Sequence, residues 1–332
     1  MHMRSFVAGV LAVAGVAAIA GPALAQGKPA TLRIGWTSTD SPQDPYGIAA
    51  KLFKDKVEAM VPGKVQVSLF PNRQIGDEKE LLEGMRFGTV DMGVITNAVV
   101  ANLETGFQVN DLPFLYADEA QAHRVLDGPI GDELKSRLAK KGVIALGFME
   151  GGFRNMINNK RPVVNPDDVK GVKYRVMQNP VFIDMFSSLG GNAIPMAWGE
   201  VFTAVQQGAI DGLEIPVAVI DATKYYEITK YLSLTNHTYS MIALLVSKRS
   251  FDKLPKDVQA AVTKAGAEAT GEQRKIVGAQ AQKIIVDLGK KGMQVNRVAD
   301  PARFRASVKP VYEKFRPSIG SDLLDKALAA VQ

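Results

Sequence analysis

Two periodicities alternate along this chain, and their alternation limits the available folds more than any other feature. Thr31–Thr37 (TLRIGWT) reads as a strand. Asp44-Pro45 supplies a helix N-cap and first turn. Ile48, Leu52, Val57, Met60 and Val61 then form one apolar face, which Pro62-Gly63 ends. Val65, Val67 and Leu69 alternate with Gln66 and Ser68, the period of a half-buried strand. Asp77 caps a second helix that runs through Leu81, Leu82 and Met85 to Gly88, and Val90–Thr96 is a mostly apolar strand. Strand–helix–strand–helix–strand predicts a parallel-rich α/β layer.

The pattern restarts further along. Val143–Phe148 and Phe153–Asn158 read as two extended pieces, and Val172–Val176 (VKYRV) alternates again. Asn179-Pro180 caps a helix with Val181, Phe182, Met185, Phe186 and Leu189 on one face, closed by Gly190-Gly191. A helix from Trp198 buries Val201, Phe202 and Val205 and stops at Gly208, and Ile210–Glu214 is a strand. This second α/β unit shares the architecture of the first without repeating its sequence. At one domain per ~150 residues, 332 residues also suggest two lobes.

Tyr231–Ser247 is long, β-branched and aromatic, suited to crossing from one lobe back to the other. From Pro255 to Leu288 no further proline occurs, and Val258, Val262, Ala265, Ala269, Ile276, Ile284 and Leu288 keep roughly helical spacing. Gln273 and Gln280 interrupt that face, and Gly266, Gly271 and Gly278 are expected to bend or soften the helix. A helix of ~33 residues is ~50 Å long, more than one small domain, so it is expected to span both lobes. No Gly/Ser-rich or Pro-rich linker intervenes, which favours structured crossovers and a hinge.

The first 25 residues carry a targeting signal. Arg4 precedes an apolar run from Val7 to Ala20, Gly21-Pro22 breaks it, and Ala23-Leu24-Ala25 forms an A-x-A cleavage site before Gln26. The expected product is an exported periplasmic protein without a membrane anchor. Its net charge is 40 − 1 − 34 = +5, since Arg4 leaves the 40 basic residues and the 34 acidic ones remain. That mild, dispersed excess does not argue for nucleic acid. The chain is 46% hydrophobic and 22% charged, which excludes a disordered, collagen-like or polytopic membrane protein. The absence of cysteine excludes disulfide scaffolds, cysteine-ligated zinc, iron–sulfur clusters and thiol nucleophiles.

Catalytic sets are equally sparse. His2 leaves with the signal, and His123 and His237 have no metal spacing between them. No G-x-S-x-G, Walker A or G-x-G-x-x-G motif occurs. Two arginines say more. Arg154 follows Gly151-Gly152-Phe153, and Arg175 ends the strand VKYRV. Both stand at strand termini, where α/β ligand crevices form, and a guanidinium fork matches a carboxylate. The alternative for each is a structural salt bridge. Trp198, at a helix start, is placed to stack on a ligand or to pack.

Several segments come in one order: Pro71–Gly76 (PNRQIG), Gly152-Phe153-Arg154, Lys160-Arg161-Pro162, Gly171–Val176 (GVKYRV), Pro195–Val201 (PMAWGEV), Ala204–Gly208 (AVQQG), Asp211–Pro216 (DGLEIP) and Thr235-Asn236-His237. Together they resemble the DctP-type solute-binding proteins of TRAP (tripartite ATP-independent periplasmic) transporters, over nearly the whole mature chain. The resemblance implies an α/β, two-lobed periplasmic-binding-protein fold (Venus flytrap) with a long helix spanning both lobes. Lobe I is expected over residues 26–151 plus about 240–278, and lobe II over 152–239 plus about 279–332. The resemblance also implies capture of an organic acid and its delivery to small and large TRAP membrane subunits driven by an ion gradient.

By the same resemblance Arg175 clamps the ligand carboxylate and Arg154 is a second arginine at the ligand. Trp198 is the site aromatic, and Thr96 and Asn97 hold the ligand-facing position of the third strand. The N-terminal polar contact falls within Ser38–Asp44, with Asp44 as its candidate. Many relatives carry an asparagine contact in D-G-Q-E-N-P, where this chain has Glu214-Ile215-Pro216; Ile215 makes no such hydrogen bond, and Gln178 and Asn179 beside Arg175 are expected to supply polar contacts instead. These groups suggest a hydroxylated carboxylate such as a sugar acid. Relatives that use a metal have that glutamate followed by tryptophan. Ile215 follows Glu214 here, so neither metal nor cofactor is expected. A monomer is expected, with no catalytic residues. The alternatives are a binding protein of an ATP-driven importer, a ligand-delivery protein of a sensor and, from another class, a periplasmic enzyme.

Overall fold

The computed structural model describes residues 28–332; the signal sequence and its cleavage site lie outside them. Strands and helices alternate from the start: β1 (Ala30–Gly35), α1 (Pro45–Met60), β2 (Val65–Phe70), α2 (Glu78–Phe87), β3 (Met92–Thr96) and α3 (Asn97–Val100). After α4 (Glu119–Leu126) and α5 (Pro129–Lys140) comes the long strand β4 (Val143–Asn158). The second unit is β5 (Lys173–Val176), α6 (Pro180–Ser188), β6 (Asn192–Pro195), α7 (Trp198–Gln206), β7 (Gly212–Pro216) and α8 (Val217–Ala222). The chain ends with β8 (Tyr231–Ser247), α9 (Lys248–Asp252), α10 (Lys256–Lys290), β9 (Gln294–Arg297), α11 (Pro301–Ile319) and α12 (Ser321–Ala330).

Among the described residues these strands form one mixed sheet in the order β2-β1-β3-β8-β4-β7-β5-β6, with β9 on β8. β1, β2 and β3 are mutually parallel, as are β5, β6 and β7. Each parallel triplet borders one long strand running against it, β8 beside β3 and β4 beside β7. β4 and β8 pair antiparallel along most of their length and so bind the two halves together. The two extended pieces expected at 143–148 and 153–158 are a single strand. Register shifts between Ala145/Gly147, Glu150/Gly152 and Arg154/Met156 break its alternation, and that breaks the sequence signature of continuity.

Alternating residues of the sheet feed two cores, one per face. Tyr239, Met241, Ala243 and Leu245 of β8 join α5, α6, α11 and α12 on one face. Ile242, Leu244 and Val246 join α1, α7 and α10 on the other. α10 covers 35 residues and reaches across both halves. Lys56 of α1 pairs with Glu272 at 2.7 Å, and Asp221 of α8 pairs with Lys291 just past the helix. Gln273, which interrupts the apolar face, is fully buried and used: Oε1 accepts from Glu150 N at 2.9 Å, and Nε2 donates to Glu150 O at 2.8 Å and Pro45 O at 3.2 Å. Gly266 admits Leu146, whose Cβ lies 2.6 Å from where a glycine Cβ would stand, whereas Gly271 and Gly278 face open space. Among the described residues no helix is long and apolar enough to cross a membrane.

Candidate functional site

The carboxyl ends of the parallel strands of both halves converge on one cleft, where open α/β sheets place ligands. Its empty space, open mouth included, is about 380 Å³. From the first half come Thr37 and Ser38 after β1, Tyr46 at the start of α1 and Glu78 at the start of α2. From the second come Arg154 of β4, Arg175 and Met177 at the end of β5, Trp198 at the start of α7, and Ile215, Pro216 and Val219 around the β7–α8 corner. Trp198 also borders two outer grooves, one beside Arg73 and Tyr225 and one beside Lys79 and Gln178.

The two arginines have different circumstances. Arg154 is spent on a carboxylate: Nε and Nη2 both donate to Glu214, with Nη2 2.8 Å from Oε1, and Nη2 also reaches the Glu214 carbonyl at 2.6 Å. Nη1 lies 3.3 Å from Ser240 Oγ, and the Phe182 ring lies 5.3 Å from the guanidinium carbon. Burial alone disfavours the Glu214 carboxylate, but Arg154 and His237 outweigh it and hold its pKa below the usual range. His237 Nε2 sits 3.2 Å from Glu214 Oε2, and burial pushes the imidazole pKa down despite that carboxylate.

Arg175 is 2% exposed and has no carboxylate within ion-pair distance among the described residues. Its Nε and Nη2 donate to Met196 O at 3.0 and 2.7 Å, and Nη1 contacts Met177 Sδ at 3.3 Å. Trp198 covers it at 5.9 Å. Burial lowers its pKa, and Arg154 adds repulsion. A buried guanidinium without an anion is costly, and this one lines the cleft. The arrangement suits a carboxylate guest.

Other polar groups complete the wall. Glu78 Oε1 accepts from Thr96 N at 2.8 Å, and burial pushes the carboxyl pKa up to about 7. Among the described residues Ser38 Oγ is buried without a hydrogen-bond partner, as is Asp44 Oδ2 behind it. Asp44 Oδ1 caps α1 through Tyr46 N at 3.0 Å, and burial raises its pKa to about 6.

Of the residues singled out from sequence, Arg154, Arg175, Trp198 and Ile215 line the cleft. Glu214 stands behind it as the partner of Arg154, and Thr96 holds Glu78 through its backbone. Asp44 lies behind Ser38, which is the residue of the Ser38–Asp44 segment that faces the cleft. Gln178 is exposed in the outer groove, where its carbonyl accepts from Asn102 Nδ2 at 2.9 Å. Asn179 and Asn97 do not reach the cleft. Asn179 Oδ1 caps Val181 N, while Nδ2 donates to Ala98 O at 2.9 Å and Asp111 Oδ2 at 3.0 Å. Asn97 Nδ2 donates to Phe107 O and its Oδ1 accepts from Asn110. Their amide groups have partners inside the protein, and neither residue lines the cleft where they were expected to meet the ligand. Sequence reading missed Glu78, Tyr46 and Met177. Glu78 follows a helix N-cap, where an acidic residue ordinarily serves the helix dipole, so nothing in the local pattern marks it. Among the described residues no group of three or more acidic or histidine side chains is arranged to hold a metal ion.

Comparison with known proteins converges on one group. Residues 37–318 match the family model described as bacterial extracellular solute-binding protein, family 7 (DctP). The chain is 36% identical over 306 residues to the 2,3-diketo-L-gulonate-binding periplasmic protein YiaO of Escherichia coli, covering 91% of this chain and 92% of that one. Among solved structures it resembles the sugar acid binding protein DctPAm of Advenella mimigardefordensis in complex with galactonate, with TM-score 0.88, 35% identity, and coverage of 92% of this chain and 98% of that one. A TRAP periplasmic solute-binding protein of Polaromonas bound to D-erythronate gives TM-score 0.87 and 36% identity, covering 90% and 98%.

Proposed function

The chain belongs to bacterial extracellular solute-binding protein family 7, the solute-binding proteins of TRAP transporters, and from that premise we propose that it captures a sugar acid in the periplasm and hands it to small and large membrane subunits. The observation that carries this reading is Arg175: a buried guanidinium with no carboxylate partner among the described residues, covered by Trp198 and lining the cleft between the halves. A ligand carboxylate supplies the missing anion, and the hydroxyl-bearing remainder meets Ser38, Tyr46 and Glu78. The relatives that bind galactonate, D-erythronate and 2,3-diketo-L-gulonate support the ligand class.

In this reading the protein is a monomeric carrier and not an enzyme, uses no metal or cofactor, and is exported after cleavage near Ala25. Lobe I takes residues 26–151 with about 240–278, lobe II takes 152–239 with about 279–332, and β4 and β8 form the hinge.

A thermal-shift screen of the mature protein against sugar acids and the matching neutral sugars tests the proposal. At ligand concentrations of about 100 times Kd, linkage contributes about 2.7 kcal/mol, which moves the midpoint by several degrees. Sugar acids are expected to raise the midpoint and neutral sugars to leave it unmoved. Stabilisation by neutral sugars alone, or by no acid in the panel, contradicts the reading.

A further inference from the structure

We propose that Glu78 is the specificity residue that restricts the cleft to acids with a single carboxylate and hydroxyls at the far end. The inference rests on the ligand class proposed above and adds which acids are refused.

The cleft holds two guanidinium groups and one carboxyl on its lining. Arg154 is already neutralised by the two oxygens of Glu214. Arg175 therefore offers the one unneutralised cation on that lining, enough for one ligand carboxylate. Glu78 opposes it from the first half of the molecule, 6% exposed, fixed at Oε1 by Thr96 N and with no partner for Oε2 among the described residues. The rest of that lining is Thr37, Ser38 and Tyr46, whose hydroxyls are neutral, with Trp198 and the apolar Met177, Ile215, Pro216 and Val219, so none of it supplies a second positive charge. Lys79 and Arg73 are exposed in the outer grooves and do not line the inner cavity.

A second ligand carboxylate placed in this cavity meets Glu78 without a cation of its own. The pair cannot both stay charged there, so Glu78 must be protonated, which weakens binding about tenfold for each pH unit above its pKa. A hydroxyl at the same place donates a hydrogen bond to Oε2. An aldonate and the aldarate of the same carbon skeleton differ only at that far end, so they isolate the effect. Replacing Glu78 by Gln keeps the side-chain volume and the acceptor for Thr96 N while removing the charge.

The charged and titratable groups around Glu78 are Asp77, Lys79 and Glu80 beside it, Arg175 and Arg154 of the second half, and the Tyr46 hydroxyl. Of these the Glu78 carboxyl itself, with its pKa near 7, changes charge most within the accessible range. Acidification from about pH 8 to about pH 5.5 is therefore a second way to remove the repulsion, one that needs no variant.

The experiment is calorimetric titration of the mature protein with D-galactonate and with galactarate. Wild type is expected to bind galactarate about tenfold more weakly than galactonate at about pH 8, because about one pH unit above its pKa of about 7 Glu78 must take up a proton to admit the second carboxylate. That gap is expected to close to within about twofold in Glu78→Gln, and also in wild type at about pH 5.5. If galactonate binds but galactarate binds equally well, or the gap survives both changes, the role of Glu78 is overturned while the sugar-acid reading stands. If neither acid binds wild type in a panel where another class of ligand does, the sugar-acid reading fails and this proposal fails with it. Should Glu78→Gln not fold, the wild-type pH series decides.

Discussion

Glu78, Asp111 and Asp44 carry carboxyls that folding removes from water, and burial pushes the first two up to about 7 and the third to about 6. Their values in an unfolded chain are 4.5 for Glu and 3.8 for Asp. Between those values and the folded ones, the folded chain holds protons that the unfolded chain has released, so stability falls as pH rises across the window. His237 acts in the opposite sense, because burial lowers its pKa and the unfolded imidazole takes a proton first. Glu214, held below its usual range, titrates outside the window. Three groups against one predict a higher thermal midpoint for the unliganded protein at about pH 5.5 than at about pH 8. A midpoint that stays level or rises toward pH 8 would refute the burial assigned to these carboxyls. At this scale the sequence revealed those groups whose chemistry is rare: Arg175 near a strand end, Arg154, which proves to lie within β4 and not at a strand terminus, and a tryptophan at a helix start. Asn97 and Asn179 stand at the right strand and helix ends, yet caps and internal acceptors consume them. Glu78 and Tyr46 enter the cleft only because α1 and α2 both begin there, a fact of packing that no local pattern encodes.

Elements were most legible where they are long or strongly periodic. β8 and α10 have the extents that apolar spacing implies, while β6 and β9, of four residues each, are too short for a two-residue period to show. β4 was legible only in pieces, since each bulge resets the alternation of its side chains. Two of those irregular points, at Gly147 and Glu150, are where α10 meets the strand. A Cβ on Gly147 would stand 1.8 Å from Thr270 Oγ1, and Thr270 is itself held by a 2.8 Å hydrogen bond to Gly266 O. The helix backbone bears on the strand at this position, so the neighbour has little room to yield. Gly147→Ala is expected to destabilise the protein by about 1–3 kcal/mol in a urea unfolding series, the usual range for overpacking. Gly271→Ala, facing open space inside the same helix, is expected to be neutral or mildly stabilising. Equal stability of Gly147→Ala and wild type would show that α10 does not press on β4 as described.

The molecule as a whole is two parallel half-sheets held by a shared antiparallel pair, with a core on each face that runs through both halves. Such a frame permits bending across β4 and β8 while the strand ends of both halves face one another. Hydrogen bonds already cross that gap: Asn102 Nδ2 to Gln178 O at 2.9 Å, Asn179 Nδ2 to Ala98 O at 2.9 Å, and Gly199 N to Asp77 Oδ2 at 3.3 Å. The α/β class and the long spanning helix followed from sequence periodicity, and the bilobal carrier from the order of the motifs. The single continuous sheet did not, because strand order depends on which distant segments meet. The central claim is that this frame encloses one ligand carboxylate, held by Arg175. Its most direct test is calorimetric titration of wild type, Arg175→Ala and Arg175→Lys with D-galactonate, after confirming that each variant folds. Loss of the guanidinium leaves a desolvated anion without its partner, at a cost of ~2–5 kcal/mol. That cost corresponds to roughly a 30- to several-thousand-fold fall in affinity. Lysine is expected to fail as well, because an ammonium does not form the planar fork. Near-native affinity in Arg175→Ala would contradict the account.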